Sequence, residues 1–276
     1  MRLKLKLLPR DAPTAIPLNH LPWAAFIYET ISRFSGELAR ELHDTGLGFN
    51  SREADKHFKL FVYSVPQILS GGEVKIRDGF CWFDRGLVEW QVGSPLPELG
   101  IPLREVFTVD RDEQRTFRIG RSFFSVAAVE EVCPPVFSNQ MRFVPISPLM
   151  ISTTKMGLDG RRVKYYCRAQ EPEFANLVVT NLLGKYRALH GIDAEDPRLE
   201  FEFDWNYVER HGGVESRKVT RLVHYKQAKI KAYQVPFIMR GNPKLIELGW
   251  ESGFGHANSQ GLGMADVAQT GAEATE

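Results

Sequence analysis

The sequence is poor in features that would announce a chemistry. Only three cysteines, Cys81, Cys133 and Cys167, occur in 276 residues, and they stand far apart. An odd, scattered set supplies neither a disulfide framework nor a paired motif for zinc, and it suits a reducing, cytoplasmic setting. No apolar run approaches the roughly 20 residues that a membrane helix needs. The first residues, Met-Arg-Leu-Lys-Leu-Lys-Leu-Leu, alternate basic and apolar positions. That pattern predicts a strand and not a signal peptide. Net charge is only +1, so composition alone names no polyanionic partner. Two nucleotide-binding fingerprints are also missing. G-x-G-x-x-G begins at Gly253 and Gly255 but meets Asn258 where glycine is required, and no Gly-Lys-Ser/Thr supplies a Walker loop. Neither a cofactor nor a metal is expected. What is present, 43% hydrophobic and 25% charged residues, is ordinary globular composition, enough for one large domain or two small ones.

Charge is balanced in sum but not in place. Arg217, Lys218, Arg221, Lys226, Lys229, Lys231 and Arg240 follow one another with no acid between them. Arg142, Lys155, Arg161, Arg162, Lys164 and Arg168 have only Asp159 among them, and Arg2, Lys4, Lys6 and Arg10 open the chain. Most charge runs are solvated faces, but three basic segments, two of them alternating like strands, tilt the expectation towards nucleic acid.

Periodicity predicts a strand over 2–8, a loop to residue 22, and helices over 21–34 and 36–43 separated at Ser35-Gly36. Strand 58–64, a hairpin over 72–84 and an extended segment over 116–129 follow, while 85–113, punctuated by Pro95, Pro97 and Pro102, is ambiguous. Pro134-Pro135 is the expected domain boundary. Beyond it the pattern predicts strands at 140–153 and 161–167, a helix at 172–190, and extended segments at 198–208, 217–225 and 228–239. A short helix at 243–250, a last strand near 259–267 and a disordered tail at 268–276 complete the chain. A similar order of elements recurs in the two halves, which suggests an α+β protein of two ferredoxin-like units, 1–133 and 134–267.

Residues 249–264, Gly-Trp-Glu-Ser-Gly-Phe-Gly-His-Ala-Asn-Ser-Gln-Gly-Leu-Gly-Met, carry five glycines. Such a run turns sharply and can aim its amides at a phosphate. The pattern G-x-G-x-x-x-S-x-G-x-G from Gly253 to Gly263 resembles the C-terminal glycine-rich loop of the CRISPR-associated repeat-cleaving endoribonucleases, a branch of the repeat-associated mysterious protein (RAMP) superfamily. The segments Phe26-Ile-Tyr28, Leu42-His43 and Phe58-Lys-Leu-Phe-Val-Tyr-Ser64 match that family's N-terminal pattern in order and roughly in spacing. The resemblance implies tandem ferredoxin-like (RRM-like) domains and metal-independent cutting of CRISPR repeat RNA. Cutting would proceed by 2′-OH attack, leaving 2′,3′-cyclic phosphate and 5′-OH ends. It further implies an active site of Tyr28, His43 and Lys59.

Cleavage by the 2′-hydroxyl needs a base, an acid and positive charge near the phosphate. Of seven histidines, at 20, 43, 57, 190, 211, 224 and 256, His43 has the best context, at a helix end beside a loop. On one straight helix, Tyr28 and His43 would stand about 22 Å apart, so the break at Ser35-Gly36 must turn the second helix back. Residues 44–56 form a longer connection to Lys59 than the family pattern leads one to expect, which leaves Lys56 or His57 as substitutes for Lys59. RNA binding is expected from Gly253, Gly255, Asn258, Ser259, Gly261 and Gly263, and from Arg161, Arg162, Lys164, Lys229 and Lys231 along a channel. The competing expectation is a RAMP-type scaffold that holds CRISPR RNA without cutting it. A nucleotide-dependent enzyme is disfavoured by the missing motifs. Homodimerisation and membership of a larger surveillance complex are left open.

Overall fold

The structure, a computed structural model, describes residues 1–44, 58–69, 72–157, 160–225 and 228–268. The expected tail and the substitutes Lys56 and His57 lie outside the described residues. The chain begins with β1 (Arg2–Pro9), β2 (Thr14–Pro17), α1 (Leu21–Phe34) and α2 (Gly36–Asp44). Five short strands follow: β3 (Val62–Tyr63), β4 (Gln67–Leu69), β5 (Lys75–Arg77), β6 (Phe80–Phe83) and β7 (Leu87–Gly93). Helix α3 (Pro97–Asp112), β8 (Thr116–Ile119) and β9 (Ser122–Glu131) close the first half. The second half runs β10 (Gln140–Pro145), β11 (Ser152–Met156), β12 (Arg162–Tyr166), α4 (Pro172–His190), β13 (Leu199–Phe203) and α5 (Trp205–Arg210). It ends with β14 (Thr220–Tyr225), β15 (Ala228–Tyr233), β16 (Phe237–Gly241), α6 (Pro243–Ser252), a 3-10 turn Asn258–Gln260 and β17 (Ala265–Val267).

Both halves are built on one strand order. The first sheet runs β3-β7-β1-β9-β8, and the second runs β13-β16-β10-β17. Taking β1, β3, β7 and β9 as the four strands of the first unit, and β10, β13, β16 and β17 as those of the second, each sheet reads 2-3-1-4. A helix follows the first and the third strand in each. This is the ferredoxin-like β-α-β-β-α-β arrangement, twice. The hairpins β11–β12 and β14–β15 and the small sheet β2-β6-β5 are additions to it. No helix among the described residues is long and apolar enough to cross a membrane.

The alternation in β1 sets the first core: Leu3, Leu5 and Leu7 are fully buried against Trp90, Phe107 and Phe124. Its basic residues do not form a free cationic face. Arg2 is buried, Lys4 pairs with Glu89 at 3.7 Å and Lys6 with Glu130 at 3.0 Å, both acids coming from neighbouring strands. Helix α1 is fastened to α3 by a bidentate pair, Arg33 to the buried Asp110 at 2.8 and 2.6 Å. The second core gathers Phe143, Phe174, Phe201, Phe237, Trp250 and Phe254.

Several boundaries differ from the sequence reading. The ambiguous 85–113 is a central strand and a helix: Pro97 sits in the first turn of α3, where no amide donor is needed, and buried Leu99, Leu103 and Phe107 hold the helix despite Pro102. Of 58–64 only Val62 and Tyr63 are strand, since Leu60 takes φ +49°. Asp204 ends β13 and caps α5 by accepting from Tyr207 N, which splits the expected extended segment 198–208. The single strand expected at 140–153 stops at Pro145, and the one at 228–239 divides into β15 and β16.

Candidate active site

Ser35 makes the turn on which the site depends. It is extended (φ −150°, ψ 113°), its amide closes α1 on Ile31 O, and its Oγ accepts from Leu38 N to start α2. Ala39 and Leu42 then bury against the first core, which lays α2 back along α1. The rings of Tyr28 and His43 end 5.5 Å apart, edge to face, instead of the 22 Å or so of a continuous helix. Phe61 holds the other edge of Tyr28, with ring centroids 5.9 Å apart.

Lys59 closes the third side. Its Nζ donates to Tyr28 Oη at 2.9 Å and to His43 O at 3.0 Å. The ammonium thus ties the end of α2 to the middle of α1 through two charge-assisted hydrogen bonds. Partial burial lowers the Lys59 pKa below the usual lysine range, with Asp44 pulling the other way. The His43 side chain is 69% exposed, so substrate can reach it. Its Nδ1 lies 2.9 Å from Asp44 Oδ1; with the proton on Nδ1, Nε2 is left as the basic nitrogen. Asp44 escaped the sequence reading, although its place beside a helix-end histidine was a signal.

The glycine-rich loop differs from expectation. Gly253, Gly255, Gly261 and Gly263 are buried, all with positive φ, and the loop is wedged between the halves. A Cβ on Gly261 would meet the His20 ring at 2.3 Å and Tyr63 at 2.5 Å, and one on Gly253 would meet Val62 at 2.9 Å. These glycines allow close packing of one half on the other. Five of the loop's amides turn inward instead of outward. The amides of Phe254, His256, Gln260, Gly261 and Gly263 donate to Gly263 O, Met150 O, Ala257 O, Asn258 O and Pro148 O. Asn258 is also spent internally: its Nδ2 donates to Phe254 O at 3.2 Å and Leu262 O at 2.9 Å, and its Oδ1 accepts from Lys185 at 2.7 Å.

What the loop offers outward is its His256–Gln260 edge, Ser259 included, which forms one wall of a cleft of about 660 Å³. Lys59 and Phe58 stand on a second wall, Lys164 on a third, and Asn181 and Lys185 of α4 line it as well. The cleft therefore joins the Tyr28–His43–Lys59 cluster to the glycine loop. Arg161 and Arg162 are exposed on the same hairpin as Lys164. Lys229 and Lys231 are exposed on the β14–β15 hairpin, do not line this cleft, and Lys231 pairs with Glu215 at 2.7 Å. The single basic channel expected from the sequence is thus divided between two hairpins.

Comparison with known proteins agrees with this architecture. Residues 132–267 match the family model described as CRISPR associated protein Cas6, C-terminal. The CRISPR-associated endoribonuclease Cas6 of Pyrococcus furiosus is 25% identical over 276 residues, covering 97% of this chain and 90% of the relative. The CRISPR-associated endoribonuclease Cas6 1 of Methanocaldococcus jannaschii is 27% identical over 265 residues, covering 96% and 91%. The chain belongs to the Cas6 family. A solved structure titled as a Cas6-related gene from Pyrococcus furiosus superposes with a TM-score of 0.77 at 19% identity, over 98% of both chains, and so shares the fold.

Within this Cas6-family chain two polar residues of α4, Asn181 and Lys185, were missed by sequence reasoning because they sit on the buried face of a helix read only for its apolar stripe. A further cluster, Cys167, Glu171 and Glu173, brings three donor atoms within 4.8 Å of one another. Its acids are already engaged: Glu171 accepts from Tyr165 Oη and Arg168 N, and Glu173 pairs with Lys155 at 3.4 Å.

Proposed function

We propose that this chain is a metal-independent endoribonuclease that cuts CRISPR repeat RNA at the Tyr28–His43–Lys59 cluster. The 2′-oxygen attacks the adjacent phosphorus as its proton is removed, the bond from phosphorus to O5′ breaks, and the departing oxygen is protonated. The products are a 2′,3′-cyclic phosphate and a 5′-hydroxyl. His43 and Tyr28 divide the two proton transfers, and Lys59 offsets the charge that builds on the phosphate. Residues 1–133 supply the cutting unit, and residues 134–267 grip RNA along the cleft through Lys164 and the His256–Gln260 edge. Retention of the product in a larger surveillance complex fits an enzyme whose grip is separate from its cutting residues. The observation that carries the reading is one ammonium, Lys59 Nζ, bonded at once to the phenol of Tyr28 and the backbone of His43 beside a cleft with further lysines. The names of the two curated relatives support the same activity.

The test is incubation with the repeat RNA of a CRISPR array from the same genome, in EDTA. One cut with a cyclic phosphate end is expected, and 2′-deoxyribose at the cut position should abolish it. Tight binding of the unmodified repeat without any cut would establish the scaffold reading instead.

A further inference from the structure

Lys185 is a lysine where lysines are rarely found. It lies in the last turns of α4 with 2% of its surface exposed. Its three donors are all used, on Ser252 O at 3.2 Å, Gly253 O at 2.5 Å and Asn258 Oδ1 at 2.7 Å. The first two are carbonyls at the C-terminal end of α6, where a cation is favoured by the helix dipole. The third belongs to the side chain that braces the loop from inside through Phe254 O and Leu262 O. All three partners are neutral, so the ammonium charge has no carboxylate to cancel it, and it stands in the wall of the cleft that Lys59 also lines.

We infer that Lys185 is the positioning residue of the RNA grip: it clamps the end of α6, Gly253 and Asn258 into the shape that walls the cleft, and its uncancelled charge makes that wall attractive to phosphate. The inference rests on the RNA-cutting reading of the same cleft. It does not require Lys185 to touch RNA. Removing the charge both loosens the loop and weakens the field on the cleft.

The clamp titrates in the working range, because burial alone drives the Lys185 pKa down to about 7. Other charged or titratable groups sharing the cleft are Lys59, Lys164 and His256. Helix α6, packed against α4, carries Lys244, Glu247 and Glu251, the last paired with the N-terminal amine at 2.6 Å. Glu200 and Glu202 of β13 are exposed, opposite the buried Phe201 and Phe203 that face the second core. A variant at Lys185 keeps every one of these groups, so the difference from wild type isolates the lysine.

The experiment is fluorescence anisotropy with the array's repeat RNA, 2′-deoxy at the cut position, in EDTA at fixed ionic strength, between pH 6.0 and 8.5. Wild-type affinity should fall about fivefold to tenfold as pH rises and the ammonium is lost. Lys185→Met should bind weakly at both ends, without that step. Lys185→Arg, charged throughout, should hold close to the low-pH affinity at both ends. A flat wild-type profile, or a Lys185→Met profile with the wild-type step, overturns the inference.

A second readout needs no RNA. The unfolded chain keeps the Lys185 proton to about 10.5 while the folded chain gives it up above about 7. Stability of wild type should therefore rise relative to Lys185→Met as pH increases between those values. Equal slopes of Tm with pH overturn the inference. Absence of RNA binding by wild type at every pH would refute the cutting reading instead, and the Tm slopes would still decide whether Lys185 is the clamp.

Discussion

The two halves of this molecule share a strand order and almost nothing else of functional weight. In the first half, the helix after strand one breaks at Ser35, and the break folds Tyr28, His43 and Lys59 together. In the second half the corresponding helix, α4, runs unbroken over Pro172–His190 and buries a lysine instead. The link from the second helix to the last strand differs too. It is a plain β8–β9 hairpin in the first half and the glycine-rich wedge in the second. The same frame is thus used once to hold reactive groups at a surface and once to hold a loop in place. In the function proposed above, the chemistry sits on the departures from the shared plan and not on the plan itself.

The comparison breaks most visibly if the front half is not the cutting half. His43→Ala should lower single-turnover cleavage at least about 100-fold while repeat binding changes by less than about threefold. Tyr28→Phe should lower the same rate by a smaller factor, since Lys59 still holds the end of α2 through His43 O. Unchanged cleavage in His43→Ala would move the chemistry elsewhere and remove the contrast between the halves.

Next in size is the glycine wedge. A Cβ on Gly263 would lie 1.9 Å from Phe254 O, at φ +79°. Gly263→Ala should therefore destabilise the protein by about 2–4 kcal/mol, by collision with backbone added to left-handed strain. Gly213 has a similar φ of +83° but nothing within 4 Å, and Gly213→Ala should cost only about 1 kcal/mol. Urea unfolding of the two variants gives the ratio, and equal losses would mean that the loop is not the packed wedge described.

How far the sequence disclosed this arrangement depended on which periodicity each residue obeyed. The α1 and α4 stripes, the alternation in β1 and the break at Ser35-Gly36 were legible because local spacing and local structure agree there. The 85–113 region was not, because three prolines read as punctuation when two of them sit inside a helix held by its buried face. The three proposed site residues were named from the family pattern; the fold brings them together, with one lysine bonded to two of them. The glycine loop packs inward more than its glycines announce. Glycine permits both an exposed turn and a close approach, and sequence alone does not separate them; His20 and Tyr63, which fill the space a side chain at Gly261 would need, lie about 200 residues away along the chain. Lys185 was invisible for a related reason, since two of its three partners are main-chain carbonyls, which carry no residue identity.

A smaller effect should appear where the wedge meets the front half. His20 packs on Gly261, and burial lowers its pKa to about 4. Its folded pKa lies below the unfolded value of 6.5, so the unfolded chain binds the extra proton between those values and stability falls as pH drops through that window. The residue is only partly enclosed by surface area, so the loss should be about 1–2 kcal/mol, less than the full shift implies. Unfolding midpoints at pH 7 and pH 4.5 should therefore converge in His20→Gln compared with wild type. An undiminished acid drop would place the sensitivity outside this seam.

The finest test asks how wide the grip of the rear half is. Lys164 lines the cleft beside Lys59, whereas Lys229 stands on the other hairpin and lines no part of it. If the cleft is the grip, Lys164→Ala should weaken repeat binding about threefold and flatten the slope of log affinity against log salt by about 0.7, the share of one single-strand phosphate contact. Lys229→Ala should leave that slope unchanged and affinity within about 1.5-fold, as expected for a solvated surface lysine. An equal loss of slope in both variants would show that the RNA path runs past the cleft and over the β14–β15 hairpin. The rear half would then bind along two additions to the shared frame, and the glycine wedge would be the hinge between them and not the wall of one site.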